Sequence, residues 1–213
     1  DITGTAVTDG LTVAGNLSVD GGTIKLDGNY PTGTGNVALG DAALASGSLS
    51  GGDNTAIGFQ ALTTNTSGSV NTAVGSDALR YNTTGANNVS MGVNALKQNT
   101  SGSYNTGLGR DALTANTTAS NNTAVGYKAG YNNTTGAQHV AIGYQASYSN
   151  TTGTDNTVVG GNALYTNTTG NYNLASGYAS LRLNTTGSNN VGLGYEALRS
   201  NTTASDNTAV GYQ

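Results

Sequence analysis

Asn122 to Gly136 reads N-T-A-V-G-Y-K-A-G-Y-N-N-T-T-G, and with Ala137 and Gln138 it forms a unit of seventeen residues that is rewritten on both sides of it. Copies begin at Asn36, Asn54, Asn71, Asn88, Asn105, Asn122, His139, Asn156, Asn173, Asn190 and Asn207, with a first step of eighteen and every later step seventeen. A fixed period of this size belongs to stacked architectures, in which each copy is one small unit that cannot bury its apolar side alone. The chain is therefore expected to be a rod, an all-β parallel β-solenoid or β-roll of seventeen-residue coils.

Numbering the unit from its leading Asn assigns tasks to columns. Position five is glycine in every copy: Gly40, Gly58, Gly75, Gly92, Gly109, Gly126, Gly143, Gly160, Gly177, Gly194 and Gly211. Glycine held against varied neighbours implies a positive φ or a close backbone approach, so this column is expected to be a structural corner. Position four (Leu39, Ile57, Val74, Met91, Val125, Ile142 and their equivalents) forms an aliphatic row. Positions eight and nine form an Ala-Leu row such as Ala78-Leu79 and Ala112-Leu113. These two rows are expected to be the core. Positions twelve and thirteen are Asn-Thr in every complete copy from the second on, followed by Thr or Ser and then Gly or Ala. That is turn chemistry, so a second corner is expected, with a stacked Asn ladder through Asn65, Asn82, Asn99, Asn116, Asn133, Asn150, Asn167, Asn184 and Asn201. Each coil is then two short strands joined by two turns, because Gly, Asn and Thr recur too often to leave a helical window. Two thin rungs, with Gly130 and Ser147 where other copies have Leu, mark the expected weak point.

Residues 1–35 read differently. Leu11 to Val13, Leu17 to Val19 and Ile24 to Leu26 are short alternating strands separated by Ala14-Gly15-Asn16 and Asp20-Gly21-Gly22. They suggest a stem in which three chains wrap one axis, joined through Tyr30-Pro31 to the array of residues 36–213. The chain opens mid-pattern and stops inside a repeat, so both ends are expected to be cuts through a longer polypeptide. A single coil holds few aliphatic groups, a thin core at about 25 cal/mol per Å², and trimerisation is the expected remedy.

Composition excludes several classes. The net charge is -4 and the pI about 4.5, so nothing attracts nucleic acid or an anionic membrane surface. Cysteine is absent, which removes disulfides and thiolate metal sites, and no run approaches a membrane helix in length. No membrane insertion and no cofactor is expected.

The wording of Asn122 to Ala129 (N-T-A-V-G-Y-K-A) and His139 to Ala146 (H-V-A-I-G-Y-Q-A) resembles the head repeats of YadA-like trimeric autotransporter adhesins, whose repeat is shorter than seventeen. It is similar, more closely, to the repeat arrays of bacteriophage tail fibres, where a stem such as Gly10 to Gly21 (G-L-T-V-A-G-N-L-S-V-D-G) precedes the array. The resemblance implies a homotrimeric, elongated, extracellular fibre used for attachment, either on a virion or, alternatively, on a bacterial cell surface. Its partners would be two identical chains and a host surface glycan or protein.

An enzyme needs convergent acid, base or nucleophile groups, and the sole histidine, His139, stands where other copies have Asn. It reads as a tolerated turn variant, and no enzymatic activity is expected. Acids at position seven (Asp77, Asp111, Glu196) and bases at position ten (Arg80, Lys97, Arg182, Arg199) read as solvated pairs. Asp53, Asp155 and Asp206 precede the repeat Asn but lack the alternating carboxylates of a calcium loop. The repeated Asn-Thr-Thr and Asn-Thr-Ser triplets match glycosylation acceptors and are read here as turns. Phe59, Tyr127, Tyr144, Tyr178, Tyr195 and Tyr212 at position six follow the corner glycine. They either cover the core edge or present rings to a host sugar, and they are the candidate receptor contacts. A regular threonine column at position thirteen raises ice binding as a further, less favoured reading.

Overall fold

The computed structural model describes residues 34–213 apart from Gly47; the stem expected over residues 1–35 falls outside the described residues except for its last two. Eleven three-residue strands follow one another: β1 (Val37–Leu39), β2 (Thr55–Ile57), β3 (Thr72–Val74), β4 (Val89–Met91), β5 (Thr106–Leu108), β6 (Thr123–Val125), β7 (Val140–Ile142), β8 (Thr157–Val159), β9 (Leu174–Ser176), β10 (Val191–Leu193) and β11 (Thr208–Val210). They make one parallel sheet in sequence order, in a register of one repeat, Thr123 opposite Val140 and Val125 opposite Ile142. The coils therefore stack within a single chain. At the usual spacing of parallel strands, ten steps advance roughly 50 Å. There is no helix among the described residues. The longer first step is absorbed between Leu44 and Gly51, and the ladder is undisturbed, with the Asn54 amide donating to Asn36 Oδ1 at 2.9 Å.

Each coil has one strand, not the two expected. The Ala-Leu segment lies in a turn, because residues on both sides of the alanine take the left-handed region: Lys128 at φ +54° and Leu113 at +50° show the pattern for positions seven and nine. An extended strand cannot pass through such residues. A leucine held there costs about 1–2 kcal/mol, which is offset by burying the same side chain, worth about 1.5–3 kcal/mol. Backbone ladder bonds continue through the turns even so. Leu113 N–H donates to Ala129 O and Ala115 N–H to Tyr131 O, both at 3.0 Å. Position seventeen is also left-handed, from Gln138 at +55° to Asn121 at +63°.

The glycine column is a corner for two reasons at once. Gly126 has φ +130°, and a Cβ placed on it would lie 2.6 Å from the Gly143 carbonyl oxygen in the next coil.

The core differs from expectation at one row. The inward residue of each strand is position three: Ala56, Ala73, Ser90, Ala124, Ala141, Val158 and Ala175 are wholly buried. Position four lies on the outer face, with Ile57 37% and Met91 47% exposed, and Val125 is only half-buried. Consecutive strand residues point to opposite faces, so only one of the two can be inside. The interior is narrow, and the leucine of the preceding coil already occupies it; a Cβ on Gly107 would meet Leu96 Cγ at 3.2 Å. Small residues therefore face inward and large ones outward. The other expected row is core: Ala78, Leu79, Ala112 and Leu113 are fully buried.

Both thin rungs are buried, the Ser147 hydroxyl without a hydrogen-bond partner. Leu96 lies against Gly107, eleven residues on, and at the same offset from Ser147 stands Val158, larger than the usual alanine and wholly buried. Beside Gly130, Leu113 Cδ2 lies 3.0 Å from the position a Cβ would take.

Polar residues complete the interior in two ladders. In the expected one, Asn82 Nδ2 donates to Asn65 Oδ1 at 2.8 Å and to Gly85 O at 2.9 Å, and the pattern repeats through Asn99, Asn116, Asn133, Asn150, Asn167, Asn184 and Asn201. The second ladder uses position one. The Asn71 amide N–H donates to Asn54 Oδ1 at 3.0 Å while Asn71 Nδ2 donates to Gly85 O at 2.9 Å. Each carboxamide thus ties two coils and closes its own turn, which satisfies polar groups that would otherwise be buried without partners.

Candidate functional site

Past the glycine corner the chain presents positions six, seven and ten along one edge of the rod. All six cations of the repeat array stand there: Arg110 at six, Lys128 at seven, and Arg80, Lys97, Arg182 and Arg199 at ten. So do nine of its eleven tyrosines. The six position-six aromatics, Phe59, Tyr127, Tyr144, Tyr178, Tyr195 and Tyr212, are all exposed, which favours display over covering the core edge.

Five of these rings, all but Phe59, stack along the axis in two runs. Tyr127 lies 5.6 Å from Tyr144, Tyr178 lies 5.4 Å from Tyr195, and Tyr195 lies 5.1 Å from Tyr212. A second column at position ten, outside the candidate set, holds Tyr131, Tyr148 and Tyr165 at 5.2 and 5.1 Å with planes nearly parallel. Recurrence at seventeen-residue spacing is the signal that marks it. Inside such a column each ring face is covered by the next ring, so a ligand finds an open face only where a column breaks or ends.

The charges knit neighbouring coils. Asp77 meets Arg80 of its own coil at 3.2 Å and Lys97 of the next at 3.0 Å, and Glu196 meets Arg199 at 3.6 Å; partly exposed pairs of this kind contribute about 0–1 kcal/mol each. Lys128 lies over the rings of Tyr127 and Tyr131 at 5.4 and 5.1 Å. Hydrogen bonding to Tyr127 holds its ammonium above the ordinary lysine value. The Glu196 carboxylate raises the Tyr195 phenol.

His139, read from the sequence as a tolerated turn variant, is a buried rung. It replaces Asn in the position-one ladder, is wholly buried, and neither ring nitrogen has a hydrogen-bond partner. Its amide still donates to Asn122 Oδ1 at 2.9 Å, but it offers no carboxamide oxygen to the next coil. Desolvation lowers its pKa from 6.5 to about 4. Between these values the unfolded chain binds the proton and the folded chain does not. His139 therefore leaves stability intact above pH 6.5 and removes it as pH falls toward 4, by about 3 kcal/mol in all. His139→Asn is expected to abolish that acid limb and to raise stability at neutral pH by restoring the ladder. Urea midpoints of both proteins between pH 7.5 and 4.5 test this, and parallel pH curves would refute it.

The remaining candidates are structural or isolated. Asp53, Asp155 and Asp206 occupy the left-handed corner at position seventeen, at φ +57°, +56° and +62°. Among the described residues no group of three or more His, Cys, Asp or Glu side chains could hold a metal ion. The threonine column donates internally, Thr66 Oγ1 to Thr83 O at 2.9 Å and Thr134 Oγ1 to Thr151 O at 2.9 Å, so those hydroxyl protons are not free for an ice lattice. The Asn residues of the glycosylation-like triplets are buried in the ladder, from Asn65 to Asn184.

Fold and site together define a parallel β-solenoid repeat protein of seventeen-residue coils bearing an aromatic and cationic edge. Comparison with protein-family models, with curated proteins and with solved structures finds no match to this chain.

Proposed function

We propose that the chain is a structural and host-attachment segment of a bacteriophage tail fibre, extracellular and homotrimeric, acting as a rigid spacer that displays repeated weak contacts. The observation that carries this reading is the outward aliphatic column of position four. Leu39, Ile57, Met91, Ile142 and Val159 lie on one face of the sheet and are exposed in the single chain. An apolar stripe of this kind, interrupted at Ser176, marks an association surface, and three copies meeting through it around a common axis would enlarge the thin core of each coil. The repeat wording shared with tail-fibre arrays supports a fibre, and repetition along the rod supports avidity in place of a deep pocket.

Sedimentation equilibrium of the 21.1 kDa chain is expected to return three times that mass. Met91→Asp with Ile142→Asp is expected to lower it to that of one chain. A monomeric native protein would overturn the trimer, and with it the fibre reading. The head of a bacterial trimeric adhesin is the second reading, since the same stripe and the same repeat wording serve it equally.

A further inference from the structure

The aromatic run at position six contains one interruption: Tyr127, Tyr144, Gly161, Tyr178, Tyr195, Tyr212. The backbone does not require that glycine. Neighbouring Gly160 has φ +142°, whereas Gly161 has no left-handed φ, and a Cβ on it would meet nothing closer than Tyr178 Cδ2 at an ordinary 3.5 Å. The fold would accept a side chain there, and every other copy has one.

The missing side chain opens a gap of one coil in the column. Tyr144 and Tyr178, 55% and 49% exposed, stand on either side of it, two strand spacings or about 10 Å apart. Each is stacked on its far neighbour, Tyr127 or Tyr195, which leaves the opposite face toward the gap. A ring inserted between them would sit at the separation the stacked tyrosines already use, 5.1 to 5.6 Å. The two pairs bordering the gap are splayed by 20°, whereas the other stacked pairs lie within 4–7° of parallel.

The surroundings select the occupant. Gln145, at position seven of the preceding coil, and Asn162, next to Gly161 in the gap coil itself, are half-buried and supply carboxamides beside the gap. Arg182 stands on the same edge one coil after the gap and Lys128 two coils before it, each over a tyrosine ring. Among the described residues neither has a carboxylate within ion-pair distance. Between Asp111 and Glu196 the only acid is Asp155, at the position-seventeen corner away from this edge. A flat aromatic ligand would use the ring faces and leave the amides and cations idle. A sugar ring uses all three, with C–H faces against the tyrosines, hydroxyls to the carboxamides and an acidic substituent to the cations. We infer that the gap at Gly161 is a carbohydrate subsite, taking one pyranose ring of an acidic surface glycan between Tyr144 and Tyr178. This deepens the attachment reading and rests on it.

The test is a titration of the whole chain with a galacturonic acid hexasaccharide, followed by tyrosine emission, since the protein has no tryptophan; uncharged maltohexaose is the control. The wild type is expected to bind the acidic probe saturably and the neutral one more weakly. Gly161→Tyr, which completes the stack, is expected to weaken binding about tenfold or more, the worth of the two aromatic contacts it removes. Gly161→Ala should retain binding, and both variants should melt with the wild type. Wild-type affinity in Gly161→Tyr, failure of the wild type to bind the acidic probe, or equal binding of maltohexaose would each overturn the subsite. A monomer in sedimentation would instead remove the fibre reading and leave this binding result standing.

Discussion

Gly126→Ala is expected to destabilise the array by about 3 kcal/mol or more, far beyond the roughly 0.4–1 kcal/mol gain that Gly to Ala brings at a compatible site. Two penalties coincide at this residue. At φ +130° an L-residue is strained, a cost of about 1–3 kcal/mol. The new Cβ would also stand 2.6 Å from the Gly143 carbonyl oxygen, so the coils would have to separate just where Gly143 N–H donates to Val125 O at 2.8 Å. In a solenoid each coil contacts only its neighbours, so the damage is expected to divide the rod instead of spreading evenly. Amide exchange should show protection lost first around residues 122–160 and retained toward both ends. Uniform loss, or a melting temperature equal to wild type, would contradict the column's double role. Lys128→Ala, two residues on and outside the column, should change stability far less.

The second large effect is Asn99→Asp. Asn99 is wholly buried; its Nδ2 donates to Asn82 Oδ1 at 2.8 Å and to Gly102 O at 2.9 Å, and its own Oδ1 accepts from Asn116 Nδ2 at 2.8 Å. A carboxylate keeps the acceptor but turns both donated bonds into oxygen facing oxygen, and it buries a charge without a counterion. Breaking a buried pair in this manner costs about 3–5 kcal/mol. The variant should be most stable in acid, where the carboxyl is protonated and can donate one bond. Burial raises its folded pKa above the unfolded value near 4, so stability is lost as pH rises through that range, the reverse of the His139 dependence. Chemical denaturation at pH 4 and pH 7.5 measures the difference, and a variant equally stable at both would refute the ladder's role. Asn99→Ala should be less severe and independent of pH.

These two predictions rest on features of unequal legibility. The glycine column was plain in the sequence because an invariant residue among variable neighbours leaves few physical explanations, and the structure supplies both of them. The Asn-Thr corner and its ladder were equally plain. The position-one ladder was not, since a leading Asn reads as well for an exposed turn as for a buried rung; the burial and hydrogen bonds of Asn54 and Asn71 make the distinction. Left-handed residues at positions seven and nine carried no signal either. Leu79 and Leu113 are poor residues for φ near +50°, and tertiary burial overrides that preference. Because the turn they make replaces the second strand, the coil's cross-section could not be drawn from composition.

On the candidate site, the six position-six aromatics could be named from their column, but stacking was needed to show that rings within a run cover one another and that faces remain open at the break at Gly161 and at the column ends. The sequence by itself determined the period, the parallel stacking of like on like and the absence of helix among the described residues, because a repeat of identical positions can be satisfied only by rungs in register. Tertiary structure alone decided which side of each three-residue strand is inside. Alternation places Ala124 and Val125 on opposite faces but does not say which face is which. Closure of a narrow coil already occupied by a leucine admits the alanine and leaves the valine half-buried on the outer face.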